Sequence, residues 1–427
     1  MKSVRPYIIL FLLTNIAIGY VTPVMFSFKS NFFPIYYYVL RAVLILIALA
    51  CLPAMIQPVI RRQKSGDKKR GASWAVLAML LIVFYMAELF LTFYPETNGK
   101  NDTYCSKTWQ YYYWKLNYQG FRDKDFRDLS AERKPAMVFA GDSYTEGHGI
   151  KNPDDRVSDI IRRQFPDYTI YNVGKNGMNI LDEIDLITHM PVTPEIIVLQ
   201  TCSNDWDYLQ ERLSVVRSSS GMLRAAAGGA WLTKYYIVFD YLASKWGNLV
   251  QRLFEQRLDD SSVEKLYAAF RLSPENYTDS RQVVEIFRHC MQYTRLPQDS
   301  VPHVLFDMFK EHNPSLRVMA DTALFADYLD KLVYLDGFCK QRNIHLLIVP
   351  YPEMDKFSMA VSAGYINKYL CGLMQARNLN CLDIYPALKK ADLPTYTVNR
   401  YDNHINEAAS RVVAAEIAKY CKLHFDN

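Results

Sequence analysis

Three long apolar runs at the start of the chain, divided by one strongly basic loop, limit what it can fold into more than any other feature. From Pro6 to Phe28 there is no charged residue, and at ~1.5 Å of rise per residue such a stretch crosses a hydrocarbon core of ~30 Å. A second run, from about Phe32 to Ile60, carries a single charge, Arg41. A third, from Ala72 to Tyr94, contains Glu88 and is ended by Pro95. Within lipid every backbone N–H and C=O must find a partner in the chain itself, so runs of this length predict membrane helices. The first run is too long for a cleaved signal peptide and has no small-x-small cleavage pattern.

Arg61-Arg62-Gln63-Lys64-Ser65-Gly66-Asp67-Lys68-Lys69-Arg70 separates the second and third runs with six basic residues. Short basic loops stay in the cytoplasm. Lys2 and Arg5 agree, so three crossings predict a multi-pass anchor over 1–95 in the cytoplasmic membrane, with 96–427 on the periplasmic or extracellular side. A charge inside a bilayer is costly unless paired or snorkelling. Arg41 and Glu88 lie at matching depths below the outer ends of their runs, which suggests an ion pair between those two helices, with Arg41 snorkelling alone as the alternative.

Of the formal net charge of +5, residues 1–71 hold +9, leaving −4 for 72–427. A mildly acidic exported part gives no basic footprint, so no nucleic-acid partner is expected. The eight cysteines include no C-x-x-C pair and no histidine at ligand spacing, so no metal and no cofactor are expected. Seven of them follow the last apolar run, an odd number. Disulfides among Cys105, Cys290, Cys339, Cys371, Cys381 and Cys421 and buried free thiols both stay open.

Beyond the anchor, five short runs rich in Val, Ile and Leu predict buried parallel strands: Ala136–Ala140, Thr169–Val173, Ile196–Gln200, His345–Pro350 and Asn380–Ile384. The segments between them are long enough for crossover helices, so the exported part is α/β with helices on both faces of the sheet. In such sheets ligands bind beyond the carboxyl ends of the strands. The first predicted strand is followed by Gly141-Asp142-Ser143-Tyr144-Thr145-Glu146-Gly147-His148-Gly149. The second ends in Asn172-Val173-Gly174-Lys175-Asn176-Gly177, the third is followed by Thr201-Cys202-Ser203-Asn204-Asp205, and Tyr401-Asp402-Asn403-His404 precedes a C-terminal helical run.

Together and in this order, these segments resemble the four signature blocks of the SGNH/GDSL hydrolase superfamily over about residues 117–420. Asn117-Tyr118-Gln119-Gly120-Phe121-Arg122-Asp123 is similar to a lead-in found ahead of the first strand in many bacterial members. The resemblance implies a flavodoxin-like three-layer α/β/α domain with a five-stranded parallel sheet. It implies Ser143 as nucleophile, His404 as base and Asp402 as the residue that orients the base. An oxyanion hole would come from the Ser143 N–H, the Gly177 N–H and the Asn204 side-chain amide; Gly177, five positions after Asn172, fits the family glycine better than Gly174. Asp402 and His404 are one residue closer together than the common Asp-x-x-His, a spacing that resembles members modifying cell surfaces and exopolysaccharides.

These residue types suit acyl transfer. A serine hydroxyl needs a base to take its proton, a carboxylate fixes that base's tautomer, and donors must face the oxygen that becomes negative. Asp142 and Ser143 taken alone would be a helix N-cap. His148 and His189 have no motif partner and are expected to be surface or structural histidines; Asp205 is expected to organise its turn, and Cys202 stands where the family often has glycine. From about Trp206 to Gln341 a mainly helical insertion is expected to cap the site, with Trp231–Phe239 resting on the membrane as the alternative. The whole predicts a membrane-anchored serine esterase acting on O-acyl, chiefly acetyl, esters of an envelope or exported glycan, in contact with membrane lipid and with any membrane-bound polysaccharide machinery. The alternatives are an O-acyltransferase with a membrane partner, a lipid ester as substrate, or a catalytically silent glycan-binding protein.

Overall fold

A computed structural model of the chain describes residues 4–27, 34–63, 68–99, 102–213, 230–245, 318–319, 322–352, 354, 363–399 and 402–425. They fall into two compact units, Met1–Lys115 with Ser219–Phe254, and Leu116–Ser218 with Glu255–Asn427. The first unit is thus larger than an anchor ending at residue 95. It takes in α4 and part of the insertion, because Cys105 and Tyr111 of α4 and Ile237 pack with Met25, Phe26, Tyr38 and Leu91 in one apolar cluster.

The first unit is built on α1 (Arg5–Met25), α2 (Ile35–Gln63), α3 (Lys68–Thr92) and α4 (Tyr104–Tyr113). α1 and α2 are long and apolar enough to cross a membrane; the described apolar stretch of α3, Val76–Thr92, has 17 residues and falls short of that measure. Two spans rather than three therefore meet it, and Lys64–Asp67 of the basic loop lie outside the described residues. Arg41 is fully buried and ion-pairs with Glu88. It also donates to the hydroxyls of Thr22, at 3.0 Å, and Thr92. Glu88 in turn accepts the backbone N–H groups of Ile237 at 3.2 Å and Val238 at 2.8 Å.

Those two residues belong to segment 230–245, which runs as a helix over Ala230–Tyr235, breaks at Tyr236 and resumes over 237–245. This part of the insertion groups with the helical unit. The breaks at Gly228-Gly229, Ser273-Pro274 and Pro297, with Cys290, lie outside the described residues.

The second unit holds a parallel sheet ordered β2-β1-β3-β4, with β1 Ala136–Gly141, β2 Thr169–Asn172, β3 Ile196–Thr201 and β4 His345–Pro350. Side chains alternate across a strand. Val138 and Ala140 of β1 therefore join the core beneath α5 (Phe126–Ser130), α8 (Ile180–His189), α9 (Thr322–Lys340) and α10 (Ala363–Gln375). Met137 and Phe139 face the opposite core, covered by α7 (Val157–Gln164), α11 (Tyr385–Ala391) and α12 (Glu407–His424). This is the expected three-layer α/β/α arrangement.

The sheet has four strands rather than five. Asn380–Ile384 pairs with β4 through one backbone bridge, Ile348 to Cys381, with two hydrogen bonds of 2.9 Å, and the Asn380 side-chain amide donates to the Leu346 carbonyl at 3.2 Å. Cys381 is joined there to Cys371 of α10 by a disulfide, and the Asp383 side chain turns back to accept the Tyr385 N–H at 3.0 Å as α11 begins. These local ties end the ladder after one residue. A second element absent from the sequence reading is the antiparallel hairpin of β5 (Thr397–Asn399) and β6 (Asp402–Ile405).

Candidate active site

Ser143 opens α6 (Ser143–Glu146), directly after β1 and at the carboxyl edge of the sheet. The turn into it requires glycine: Gly141 has φ +147°, and a Cβ there would collide with the Gln200 carbonyl oxygen and the Thr145 side chain. Asp142 caps α6 by accepting the Tyr144 N–H at 2.9 Å, so the expected N-cap is present beside the chemistry. Its other carboxylate oxygen gathers the Asn204 amide at 2.8 Å, the Ser143 hydroxyl at 3.1 Å and the Cys202 thiol at 3.2 Å. Ser143 and Asn204, which arrive from different strands, thus share one buried acceptor.

The Ser143 Oγ lies 2.7 Å from His404 Nε2, and His404 Nδ1 lies 2.5 Å from Asp402 Oδ1. The close spacing of the pair has a structural reason. Both residues sit in β6, where residues two apart point to the same side. Asp402 also accepts the His404 backbone N–H at 3.2 Å, which clamps the two together. Asp402 is fully buried, and burial alone would raise its carboxyl, but the hydrogen bond and charge of His404, with a further contribution from His148, hold it below the ordinary value.

Of the two alternatives for His148, surface or structural, the structure shows the second, in a place beside the site that the sequence did not indicate. It is 1 % exposed, its ring stacks on that of His404 with centroids 4.3 Å apart, and its Nε2 stands 3.5 Å from Asp402 Oδ2. Burial, with repulsion from His404 and Arg122, pushes the imidazole down to about 3 against the pull of Asp402, so it is neutral at pH 7. The signal that finds it is Gly147, whose φ of +79° ends α6 in a left-handed residue and turns the next side chain under the site. His189, by contrast, is on the surface beside Asp185.

The lead-in residues brace the same turn. Arg122, buried, donates to the Gly147 and Ile150 carbonyls, and burial lowers its guanidinium to about 9, still charged at neutral pH. Asp123 accepts the Asn172 N–H and an Arg162 N–H, both at 2.8 Å, which ties β2 to α7. Asp205 accepts the Cys202 N–H at 2.7 Å and so organises its turn as expected. Glu183 of α8 is fully buried, and burial together with the Asp142 and Asp182 charges raises its carboxyl well above the ordinary value.

The two glycines after β2 differ. Gly174 lies against α6, where a Cβ would stand 2.5 Å from the Glu146 nitrogen, and its N–H donates to Asn172 Oδ1 at 3.0 Å. Gly177 is exposed, with φ +79° and open space around its Cα. Among the described residues, one group of His, Cys, Asp or Glu is close enough to share a metal ion: His148, Asp402 and His404, with donor atoms within 4.8 Å of one another.

Fold and site together define a class: an α/β protein with a parallel sheet and a Ser–His–Asp constellation at its carboxyl edge. No protein-family model matches the chain, and no curated protein matches its sequence. Among solved structures it is similar to a member of the lipolytic protein G-D-S-L family from Veillonella parvula, at 12 % identity and TM-score 0.32 over 68 % of this chain and 98 % of that one. It is also similar to a lipase/acylhydrolase from Enterococcus faecalis, at 11 % identity and TM-score 0.32 over 67 % and 95 % of the two chains. A lipase from a goat rumen metagenome matches at 11 % identity and TM-score 0.30, over 67 % and 97 %. At this distance a likeness assigns no chemistry to individual residues.

Proposed function

We propose that the chain is a serine ester hydrolase of the SGNH type, acting outside the cytoplasmic membrane on O-acyl groups of an envelope or exported glycan. The observation that carries this is the continuous relay from Ser143 Oγ through His404 to Asp402, at 2.7 Å and 2.5 Å. As Ser143 attacks an acyl carbonyl, its proton passes to His404 Nε2, and Asp402 stabilises the imidazolium through Nδ1. The oxyanion is received by the Ser143 and Gly177 N–H groups and by the Asn204 amide, which leaves Asp142 to do so. His404 then protonates the departing alcohol, and water, activated by the same imidazole, releases the acid and frees Ser143. His148 supports the ring of His404 from below.

The partly buried ring of Tyr144 stands 5.1 Å from His404 and 5.0 Å from Tyr351, offering the flat faces on which a sugar ring rests. The Cys371–Cys381 disulfide favours an oxidising compartment, which supports placing the α/β unit outside the cytoplasm.

The test is labelling of the full-length protein by a serine-directed fluorophosphonate, with Ser143→Ala and His404→Ala as comparisons. Labelling and acetate release from a simple ester should both depend on Ser143; an unlabelled wild type that releases no acid would overturn the reading. Capture of the acyl group by an added oligosaccharide, in place of water, would make the activity a transfer.

A further inference from the structure

We propose that segment 230–245 is a re-entrant membrane element, dipping into the outer leaflet beside α1 and α3 and packing its free face against lipid acyl chains. This rests on reading α1 and α3 as membrane spans. The contacts set its depth. Tyr236 Oη lies 3.2 Å from Asn15 Oδ1, ten residues before the end of α1, which is ~15 Å below that end at ~1.5 Å per residue. The Tyr235 ring comes within 3.5 Å of a Cβ built on Gly19, so glycine leaves room for it. The Phe239 and Phe84 rings are 5.6 Å apart, and Phe84 is eight residues from the end of α3, or ~12 Å.

A helix broken at that depth is tolerated only where protein satisfies the freed backbone groups. The break at Tyr236 meets this condition. The first two N–H groups of helix 237–245 donate to the Glu88 carboxylate, whose charge also suits a helix N-terminus and is balanced by buried Arg41. The Arg41–Glu88 pair therefore fastens the returning segment as well as joining two helices. Beside this contact a cavity of about 370 Å³ is lined by Ala87, Phe90, Leu91 and Tyr94 on one side and Val238, Tyr241 and Leu242 on the other. Phe90 is 63 % and Leu242 55 % exposed, so the groove opens on the same apolar side as α3. The groove runs from Ala87, five residues or ~7.5 Å before the end of α3, to Tyr94 just past it, so its occupant is the upper part of an outer-leaflet hydrocarbon chain. Farther along, Lys245 pairs with Glu96 at 2.7 Å, marking the return to the polar interface.

The experiment places a nitroxide on Leu242→Cys, Phe90→Cys or Tyr118→Cys in the full-length protein in phosphatidylcholine vesicles, with the parent chain as background. Broadening by oxygen and by a water-soluble nickel chelate is then compared. The Leu242 label should behave like that at Phe90, open to oxygen and shielded from nickel, whereas Tyr118, 84 % exposed in the α/β unit, should be open to nickel. Glu88→Ala should admit nickel to Leu242 while Phe90 stays shielded. Nickel access at Leu242 equal to that at Tyr118, with Phe90 shielded, overturns the proposal even if Glu88→Ala does not fold. Nickel access at Phe90 as well means that the spanning reading of α3 fails first.

Discussion

Replacing Asp402 by asparagine separates two roles of this carboxylate, and the structure sets the size of each. Oδ1 accepts from His404 Nδ1 at 2.5 Å, while Oδ2 faces His148 Nε2 at 3.5 Å. An asparagine here keeps its oxygen on His404, because the neutral His148 can accept from the amide on the other side. The tautomer of His404 is then retained and only the charge is lost. Two unit charges ~4 Å apart at an effective dielectric of ~20 interact by about 4 kcal/mol. That corresponds to about a thousandfold loss in kcat. His148→Phe removes that acceptor and leaves one amide N–H buried without a partner, which opposes the hold of the His404 backbone N–H on the amide oxygen and lets part of the population turn the amide toward His404, leaving the proton on Nε2 where it blocks the base. The double variant should therefore lose more than Asp402→Asn alone, toward the roughly ten-thousandfold loss of a wrong tautomer. Steady-state hydrolysis of p-nitrophenyl acetate by the full-length protein, at matched folding by circular dichroism, measures both steps. KM should not move, since Asp402 is fully buried. A loss below tenfold for Asp402→Asn, or an equal loss with and without His148, would refute the reasoning.

If Asn204 supplies the proposed oxyanion donor, Asn204→Ala should lower kcat by roughly two to three orders of magnitude, with fluorophosphonate labelling slowed in parallel. His148 gives a pH signature. Its imidazole titrates near 3 when folded and near ~6.5 when unfolded, so the unfolded chain takes the extra proton as pH falls below the latter value. Stability should therefore drop between those two pH values by up to ~1.4 kcal/mol per unit, and His148→Phe should flatten that slope in denaturant titrations. Asp402 acts in the same direction lower down: its depressed carboxyl stabilises the fold above the ordinary carboxylate range, and that contribution disappears as pH falls through its folded value. Gly141→Ala meets backbone and side chain at a positive φ and should cost upwards of ~4 kcal/mol, seen as lost soluble expression of a folded α/β unit. Cys371→Ser opens a loop spanned by a sequence separation of 10. It should lower stability by up to about 3 kcal/mol, leaving kcat unchanged.

Much of this was legible without coordinates, wherever the information is local. Long uncharged runs can only satisfy their backbone as helices, and short β-branched runs separated by crossover lengths can only pair in a covered sheet. Ser143, Asn204 and His404 were readable because each follows a strand or lies near the C-terminal helix, positions that an α/β sheet brings to one edge. The matching depths of Arg41 and Glu88 likewise pointed to their pairing.

What depended on the folded chain was everything set by partners distant in sequence. The fifth strand reduces to one bridge because the disulfide and the Asp383 turn end it, and neither appears in a hydrophobic pattern. His148 has an unremarkable local sequence and gains its place only when β6 lays His404 over it. The close spacing of Asp402 and His404 works because that short segment is extended, and a three-residue hairpin partner decides this. For Trp231–Phe239 the sequence left a cap and a membrane-resting segment open; segment 230–245 packs with the apolar helices, where Glu88 satisfies the backbone that its break exposes. Local sequence sets which groups must be paired; only the tertiary fold supplies the partner.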